Sequence, residues 1–259
     1  MAERVLRRLE DGVGIVSLNR PEKHNAMDDA MGPEYRDAIA WAFETAEVRC
    51  VLLRGEGPSF CSGRDTTVLG HRERDESDYV FVRRAQDGRL AMQDAQKPVV
   101  AALRGHVIGG GAEMALGADM RVGASDMKLR LPEIYYGLLP DTGGTQLLTS
   151  LVGPAKAKYL VMTGAVIEAE EALAWGLIDW LVSPDEVDAK ALDIARRIAA
   201  GPPIAVSMAK QLVDQAWGEV IRRGTRAELL AQTALFKTED YQEARAARRE
   251  GREPKYKGK

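Results

Sequence analysis

The alternation of apolar strands with amphipathic helices limits what this chain can fold into more than any other feature. Residues 13–18 and 50–53 are short β-rich runs closed by turn residues, which is typical of buried strands. Between them, residues 28–47 carry apolar side chains at four-residue steps, and this spacing predicts a helix with one apolar face. Strand, helix and strand in this order predict an α/β protein whose helices pack on the faces of a sheet.

The same pattern continues along the chain. Residues 77–93 predict a helix, a Lys-Pro pair ends it, and residues 99–103 predict another buried strand. The last third of the chain is predicted to be almost wholly helical. Helices are predicted at residues 185–200, 204–222 and 225–236, with breaks at Gly201-Pro202-Pro203 and at Gly224. We therefore expect a core over residues 1–183, followed by a helical region over residues 184–259 that caps the core or forms an assembly surface.

Composition excludes several classes of protein. The 259 residues include 36 Lys and Arg against 39 Asp and Glu, and the net charge of -3 argues against general binding to nucleic acid. No apolar run approaches the roughly 20 residues that span a bilayer, and the first residues have no signal-peptide core. The two cysteines, Cys50 and Cys61, show no metal-ligand spacing. These features predict a cytoplasmic enzyme that acts on small molecules without a bound metal.

A run of three glycines, Gly109 to Gly111, leads from a predicted strand into a predicted helix at residues 112–116. Glycine lets the backbone approach another group closely, and the NH groups at a helix start are unpaired and lie at the positive end of the helix dipole. Such a turn can hold an oxyanion or a phosphate. The dinucleotide motif G-x-G-x-x-G fails because Met114 stands at its last position. An oxyanion site and close packing of the helix on the strand remain as alternatives.

Two glutamates follow the glycines. Glu113 lies in the first turn of the predicted helix, where it either complements the dipole or lies beside a bound oxyanion. Glu133 follows a proline in an apolar stretch, where burial would raise its pKa toward neutrality. Two neighbouring acids separate their pKa values further, so that one donates a proton while the other accepts one. The alternative for Glu133 is a surface position at the start of a helix.

A third acid, Asp141, follows a proline and precedes Thr-Gly-Gly. Aspartate in this setting most often caps the N-terminus of a helix, and we interpret Asp141 in this way. The alternative is that Asp141 acts as a third acid that reaches the far end of a substrate.

Several separated motifs resemble those of the enoyl-CoA hydratase/isomerase family, whose members are also called crotonases. Residues 20–27 (RPEKHNAM) resemble the family's R-P-x-x-x-N-A turn, and residues 60–65 (FCSGRD) resemble its F-x-x-G-x-D loop. The other matching segments are residues 109–113, 132–133, 140 with 143–146, 163–164, 174–177 and 238–240. The resemblance therefore covers essentially the whole chain.

The resemblance implies a spiral core of repeated β-β-α units with a helical C-terminal region, assembled into trimers or pairs of trimers (hexamers). It also implies that the backbone NH groups of Ser62 and Gly110 form an oxyanion hole for a thioester carbonyl. Glu113 and Glu133 match two glutamates that hydratases of the family place around one water. Coenzyme A belongs to the substrate, and no further cofactor is expected. The residues that match the family's contacts with coenzyme A are Lys23, His24, Arg64 and Asp65.

The implied reaction is syn addition of water to a 2-enoyl-CoA, which gives a 3-hydroxyacyl-CoA. Glu133 would protonate the α-carbon while Glu113 helps to deprotonate the water. The chain departs from typical hydratases at Asp141, where they carry glycine and where dienoyl-CoA isomerases carry aspartate. An isomerase that shuttles a proton between Glu133 and Asp141 is therefore the alternative. Hydrolases, dehalogenases and decarboxylases of the family fit less well, since they usually lack the glutamate pair.

Two charged segments have other interpretations. The basic C-terminal run is a candidate for RNA binding, which some hydratase-like proteins show, but the glutamates within it favour a solvated helix end. Its cations are Arg245, Arg248, Arg249, Arg252, Lys255, Lys257 and Lys259. Residues 71–78 match a variable loop that borders the acyl pocket in the family. His71 and His106 lack a metal-binding spacing and are not expected to act as ligands or bases.

Overall fold

A computed structural model describes residues 3–68 and 75–259 of the chain. Its strands are β1 (Val5–Glu10), β2 (Val13–Leu18), β3 (Cys50–Gly55), β4 (Val99–Leu103), β5 (His106–Ile108), β6 (Met120–Ala124), β7 (Lys128–Arg130), β8 (Val166–Glu168) and β9 (Trp180–Val182). Its α-helices are α1 (Met31–Glu44), α2 (Asp78–Asp94), α3 (Gly110–Leu116), α4 (Gly144–Thr163), α5 (Ala169–Trp175), α6 (Val187–Ala199), α7 (Pro203–Gln215), α8 (Gly218–Leu235) and α9 (Glu239–Glu250).

The larger of two sheets has the strand order β1-β2-β3-β4-β6-β9 and is parallel except for the β1–β2 pair. Every residue of β2 and β4 is buried, as expected for strands that are covered on both faces. Because side chains alternate along a strand, Val13 and Ile15 face one hydrophobic cluster while Val16 and Leu18 face another. Helix α6 completes the first of these clusters.

The chain passes repeatedly from the larger sheet to a smaller one, which has the order β5-β7-β8. Strand β4 leads into β5, and β6 leads into β7. After β3, the chain reaches the smaller sheet through a bridge between Cys61 and Val107. Helix α3 then returns the chain from β5 to β6, and α5 returns it from β8 to β9. This repetition is the spiral of β-β-α units that the resemblance implies.

The boundaries of the first helix depend on a side chain that caps it. The sequence predicts a helix over residues 28–47, whereas α1 begins at Met31 and ends at Glu44. The carboxylate of Asp28 accepts a hydrogen bond from the NH of Met31 (2.9 Å). Asp28 therefore precedes the helix and stabilises its first turn, as aspartate commonly does at helix starts.

The predicted position of the break between the second and third C-terminal helices is wrong. The sequence predicts a break at Gly224, whereas α7 and α8 are separated at residues 216–217. Gly224 lies inside α8, where an added Cβ atom would be only 2.1 Å from Cδ of Gln146 on α4. The glycine therefore allows two helices to pack closely, which its low helix propensity does not reveal. Helix α9 follows; its bounds were not predicted, although the basic run that begins at Arg245 was interpreted as a helix end.

Helix α6 packs against the larger sheet through Val187, Ala191 and Ile194. The helical region after residue 184 thus begins with a helix that belongs to the sheet's own core, and the expected division at that residue stays a prediction. None of the helices in the described part of the chain combines the length and the apolar character that crossing a bilayer requires.

The charged segment at residues 71–78 is described only in part. Residues 71–74, and with them His71, lie outside the described residues. Helix α2 begins at Asp78, after the hydroxyl of Ser77 accepts a hydrogen bond from the NH of Val80 (3.3 Å). Glu76 lines the cavity described below.

Candidate active site

A cavity of about 340 Å³ collects the acids that the sequence singles out. Glu113, Glu133 and Asp141 all line it, together with Gly109 and Gly110 from the glycine run. These residues come from α3 and the N-cap residue before it, and from the chain between β7 and α4. Side chains of α1, α2, α8 and α9 complete the wall. The spiral therefore brings the two glutamates and the third acid to one place.

The three consecutive glycines have different surroundings. Gly109 has a φ of 55°, and a Cβ atom there would lie 2.9 Å from Oε1 of Glu133. A Cβ atom at Gly111 would lie 2.5 Å from the carbonyl oxygen of Cys61. Gly110 has open space at the same position, and its NH lies in the first turn of α3, where intrahelical acceptors are lacking. Close packing accounts for the outer two glycines, while an oxyanion role for the NH of Gly110 stays a prediction.

Glu113 is buried, with 2% of its surface exposed. Its Oε1 accepts hydrogen bonds from the NH groups of Thr142 (2.8 Å) and Gly144 (3.0 Å). Burial raises the pKa of Glu113, while these NH groups and the charge of Arg89 oppose the shift because they stabilise the carboxylate. The contacts of Glu113 therefore favour its ionised form.

Glu133 begins the 3-10 turn Glu133–Tyr136 and has the opposite surroundings. Its Oε2 is closed off from solvent and has no hydrogen-bond partner among the described residues. Burial, the charge of Glu113 and the charge of Asp141 raise the pKa of Glu133 well above its usual range. Since an unpartnered buried carboxyl is more stable when neutral, these surroundings favour the protonated form of Glu133.

The interpretation of Asp141 as a helix cap is wrong. Helix α4 begins at Gly144 and has Gly143 in the N-cap position. Glycine has no side chain that could accept a capping hydrogen bond. Asp141 lines the cavity, where burial and the charges of Glu113 and Glu228 raise its pKa well above the usual range. It is therefore a third acid of the cavity, which is the alternative that the sequence left open.

Glu228 of α8 accepts the hydrogen bonds that a capping residue would accept. Its carboxylate is bonded by the NH of Gly143 (2.7 Å), the NH of Thr145 (3.0 Å) and the Thr145 hydroxyl. Burial and the charge of Glu113 raise its pKa to about 7. No sequence pattern marks Glu228, because a glutamate of an amphipathic helix, 83 residues from Thr145, resembles any surface residue.

Arg89 of α2 is a second residue that the sequence did not single out. Its Nη2 donates to the carbonyl oxygen of Gly110 (3.0 Å), and its guanidinium lies 5.6 Å from the ring centre of Tyr35. Its charge opposes the rise in the pKa of Glu113 and of Asp141. An arginine within a predicted helix gives no signal of burial, so only the tertiary structure, which brings Arg89 to the carbonyl of Gly110, reveals this role.

The NH of Ser62 is already paired within the protein. It donates to the carbonyl oxygen of His24 (2.9 Å), and the Ser62 hydroxyl donates to the carbonyl oxygen of Lys23 (3.3 Å). This pairing corrects the expected oxyanion role of Ser62, because a satisfied donor is not available to a thioester. On either side of Arg64, the carbonyl of Gly63 and the NH of Asp65 form hydrogen bonds with the backbone of Met27. Because successive backbone groups of an extended chain alternate in direction, the NH of Arg64 points away from Met27. This NH has no acceptor among the described residues.

The sequence model of the Enoyl-CoA hydratase/isomerase family matches residues 8–259. The chain belongs to this family. The short-chain-enoyl-CoA hydratase of Clostridium acetobutylicum is 34% identical over 251 residues, which cover 94% of this chain and 93% of that protein. The 1,2-epoxyphenylacetyl-CoA isomerase of Escherichia coli is 32% identical over 266 residues, which cover 100% of both. The structure of an enoyl-CoA hydratase/isomerase from Pseudoalteromonas atlantica has a TM-score of 0.90 at 28% identity, and covers 98% of this chain and 100% of its own.

The residues of this hydratase/isomerase that match the family's coenzyme A contacts differ in exposure. Lys23 and His24 are exposed. Asp65 is buried and pairs with Arg20 (2.8 Å). Burial acts to raise the pKa of Asp65, but hydrogen bonds from Thr67 and the pairing with Arg20 outweigh it and lower the pKa to about 2. Asp65 thus holds its loop in place, and a contact with coenzyme A stays a prediction.

The basic C-terminal run of this hydratase/isomerase is extensively paired within the protein. Arg252 forms ion pairs with Glu243 and Glu250, and Arg248 donates to the hydroxyl of Tyr136 (2.9 Å). These contacts fit a solvated helix end that packs beside the cavity. The alternative of RNA binding gains no support from them.

Proposed function

We propose that this protein is an enoyl-CoA hydratase that adds water to a 2-enoyl-CoA and forms a 3-hydroxyacyl-CoA. The observation that supports this most is the contrast between Glu113 and Glu133 in one cavity. Glu113 receives two NH donors that favour a base, whereas Glu133 has an unpartnered buried oxygen that favours an acid. A base, an acid and a nearby carbonyl-binding NH are the groups that hydration requires.

In the proposed reaction the thioester carbonyl accepts hydrogen bonds from the NH groups of Gly110 and Arg64. This polarises the conjugated double bond and makes its β-carbon electrophilic. Glu113 takes a proton from water as the water oxygen bonds to the β-carbon, and Glu133 gives its proton to the α-carbon. Loss of one carbonyl donor typically costs about 100 to 1000-fold in rate. The NH of Arg64 replaces that of Ser62 here because the latter is paired with His24.

The coenzyme A part of the substrate is assigned to the exposed turn that contains Lys23 and His24. We infer that Lys23 and His24 contact the coenzyme A moiety, since both are exposed on the turn whose backbone holds Ser62. The ammonium group of Lys23 suits a phosphate. Arg64 is held by an ion pair with Asp29, so its side chain borders the cavity in one orientation.

A second candidate function is isomerisation of an enoyl-CoA or dienoyl-CoA by Glu133 and Asp141. It is favoured by one observation: Asp141 lines the cavity as a half-buried acid whose charge interacts with Glu133. In this reaction one acid would remove a proton from the acyl chain and the other would return a proton at a different carbon. The relative from Escherichia coli is itself named an isomerase.

The two functions are separated by following product and isotope together. The purified protein is incubated with short-chain, long-chain and ring-bearing 2-enoyl-CoAs in deuterated water, and the products are analysed by mass spectrometry. We expect 3-hydroxyacyl-CoA with one deuterium at the α-carbon. Double-bond migration without addition of water would support the isomerase, and no reaction with any substrate would end the hydratase proposal.

Two conservative substitutions test the assigned roles. Glu113→Gln and Glu133→Gln keep the size of each side chain and remove its ability to transfer a proton. We expect each to lower kcat for hydration by about 100-fold or more, which is the usual contribution of a general acid or base. Full activity in either variant would contradict its role. Glu219→Gln, at an exposed glutamate of α8, is the matched control and is expected to have the activity of the parent.

We also propose that the protein assembles as a homotrimer or as a hexamer of two trimers. This is supported by α7, a fully described helix in which no residue is buried. Ile204, Met208 and Leu212 follow one another at four-residue steps along it and are 75%, 58% and 66% exposed. Contiguous apolar surface of this kind marks sites of protein association. A cytoplasmic location stays a prediction from the sequence.

A further inference from the structure

Four consecutive backbone NH groups at the start of α4 alternate between two carboxylates. Those of Thr142 and Gly144 donate to Glu113, and those of Gly143 and Thr145 donate to Glu228. Glu113 on α3 and Glu228 on α8 therefore both accept hydrogen bonds from the same short stretch of chain. A displacement of this stretch by Glu228 would move both donors that hold Glu113.

The same turn is held at its beginning by two glutamines. Gln86 of α2 donates to the carbonyl oxygens of Asp141 (2.7 Å) and of Thr225 on α8 (2.5 Å). Gln232 of α8 accepts a hydrogen bond from the NH of Leu139 (3.3 Å). Helix α8 thus contacts the turn before Asp141 through Gln232 and after Asp141 through Glu228. Of these two side chains, only that of Glu228 can carry a charge.

The charges around Glu228 come from each element that packs against it. Glu113 lies on α3, Asp141 lies in the turn, and Arg89 of α2 is a cation of the same cavity. Arg226, on α8 itself, points elsewhere, to an ion pair with Asp87 (2.9 Å). A negative charge on Glu228 therefore acts on Glu113 and Asp141 at close range, where the low dielectric of a buried site strengthens it.

We propose that Glu228 is a positioning residue for the acid pair: it holds the turn that carries the donors of Glu113, and its charge biases which acid of the cavity holds a proton. This inference rests on the proposed function. Glu228 does not line the cavity and acts through Glu113 and Asp141. A carboxylate here serves two purposes, since it accepts several donors at once and also adds a charge to the site.

The test is Glu228→Gln, which keeps the shape and one acceptor oxygen but removes the charge. We expect kcat for hydration to fall about tenfold, with KM within about twofold, because ground-state binding is not changed. The acidic limb of the kcat profile against pH should move to lower pH by about 0.5 units or more, because Glu113 and Glu228 titrate as a coupled pair and Glu228→Gln removes the repulsion that delays full ionisation of the pair. Glu219→Gln, on the same helix, should leave kcat and the profile unchanged.

Two results would overturn the proposal. One is a Glu228→Gln variant with the kcat and pH profile of the parent. The other is a variant with lower kcat and an unmoved acidic limb, which would show that Glu228 only stabilises the fold. If Glu228→Gln does not fold, Thr145→Val removes one donor to Glu228 and keeps every carboxyl. It should move the same limb in the same direction by a smaller amount, and an unmoved limb would overturn the proposal too.

Failure of the proposed function can be told apart from failure of this inference. If the parent hydrates none of the 2-enoyl-CoAs, the hydratase proposal fails. The carboxyl groups can still be titrated by carbon-13 NMR of protein labelled at the glutamate δ-carbon, with Glu113→Gln used to assign one signal. The titration midpoint of Glu113 should be lower in Glu228→Gln than in the parent, and identical midpoints would contradict the coupling.

Discussion

Glu113 and Glu133 carry the same carboxyl group and differ in what surrounds it. Two NH donors and the charge of Arg89 stabilise the carboxylate of Glu113, whereas Oε2 of Glu133 has no partner among the described residues. Asp141 has a third environment, because it is half-buried and the charges of two other carboxylates, Glu113 and Glu228, act on it. At the residue scale, the preference of each acid for its neutral or ionised form thus follows from contacts with distant parts of the chain. Residue type alone does not decide it.

Asp141→Asn is expected to separate the two candidate functions. In a hydratase that uses Glu113 and Glu133, the substitution removes a charge beside the acid pair but no proton-transfer group. We therefore expect hydration to slow by less than about tenfold, against about 100-fold or more for Glu113→Gln. The measurement is kcat for hydration in both variants at the pH optimum of each. If the parent instead migrates the double bond, a larger loss of that activity in Asp141→Asn than in Glu113→Gln would favour the isomerase.

Elements that bury a complete face could be predicted from the sequence. Strand β2 was predicted within its observed bounds, as was β4, because every side chain of these strands is apolar or small and buried. The break at Gly224 was wrong because a glycine that allows α8 to approach α4 looks the same in sequence as one that ends a helix. The start of α4 was also misjudged, since its cap comes from α8 and not from Asp141.

The carboxyl cluster at the start of α4 is expected to make stability depend on pH. The pKa of Glu228 is raised to about 7, so the folded chain keeps a proton that the unfolded chain has released. The contribution is fully present below the usual pKa of glutamate, near about 4.3, and is lost as the pH rises through about 7. The midpoint of thermal unfolding should therefore fall between about pH 5 and pH 8.

Differential scanning calorimetry of the parent and of Glu228→Gln tests this dependence. The variant lacks the titrating group, so its unfolding temperature should decline less over the same pH range than that of the parent. Equal slopes in the two proteins would show that Glu228 does not titrate in the folded state at these pH values. Glu219→Gln is the control and should follow the parent, since its side chain is exposed.

At the scale of the whole molecule, the spiral brings the loops that line the cavity together and leaves apolar side chains of α7 exposed. Helices α6 and α7 follow one another in sequence, yet α6 buries five residues against the sheet and α7 buries none. The sequence predicts a helix in both places and does not distinguish a buried helix from an exposed one. Only the path of the chain shows that the apolar side chains of α7 have no cover within the described part of the chain.

Met208→Glu is expected to dissociate the proposed trimer. A charge in the middle of the apolar stripe of α7 cannot be buried against another copy without a partner, and an unpaired charge in an interface is costly. Sedimentation equilibrium should give three or six times 28.3 kDa for the parent and about one chain mass for the variant. Ala189→Glu, at an exposed position of α6, is the control and should keep the mass of the parent. A parent that sediments as a monomer would contradict the proposed assembly.

The sequence by itself determined the α/β class and the family, and it named the acids proposed to carry the chemistry, because hydrophobic period and short motifs are local properties. Gly110, Glu113 and Glu133 could all be named from it. It did not show Glu228 or Arg89, and it misassigned Asp141 and the NH of Ser62. Those four depend on which backbone groups pair with each other across the spiral. Only the tertiary structure decides this, because a buried carboxylate or NH takes its role from partners that are distant in sequence.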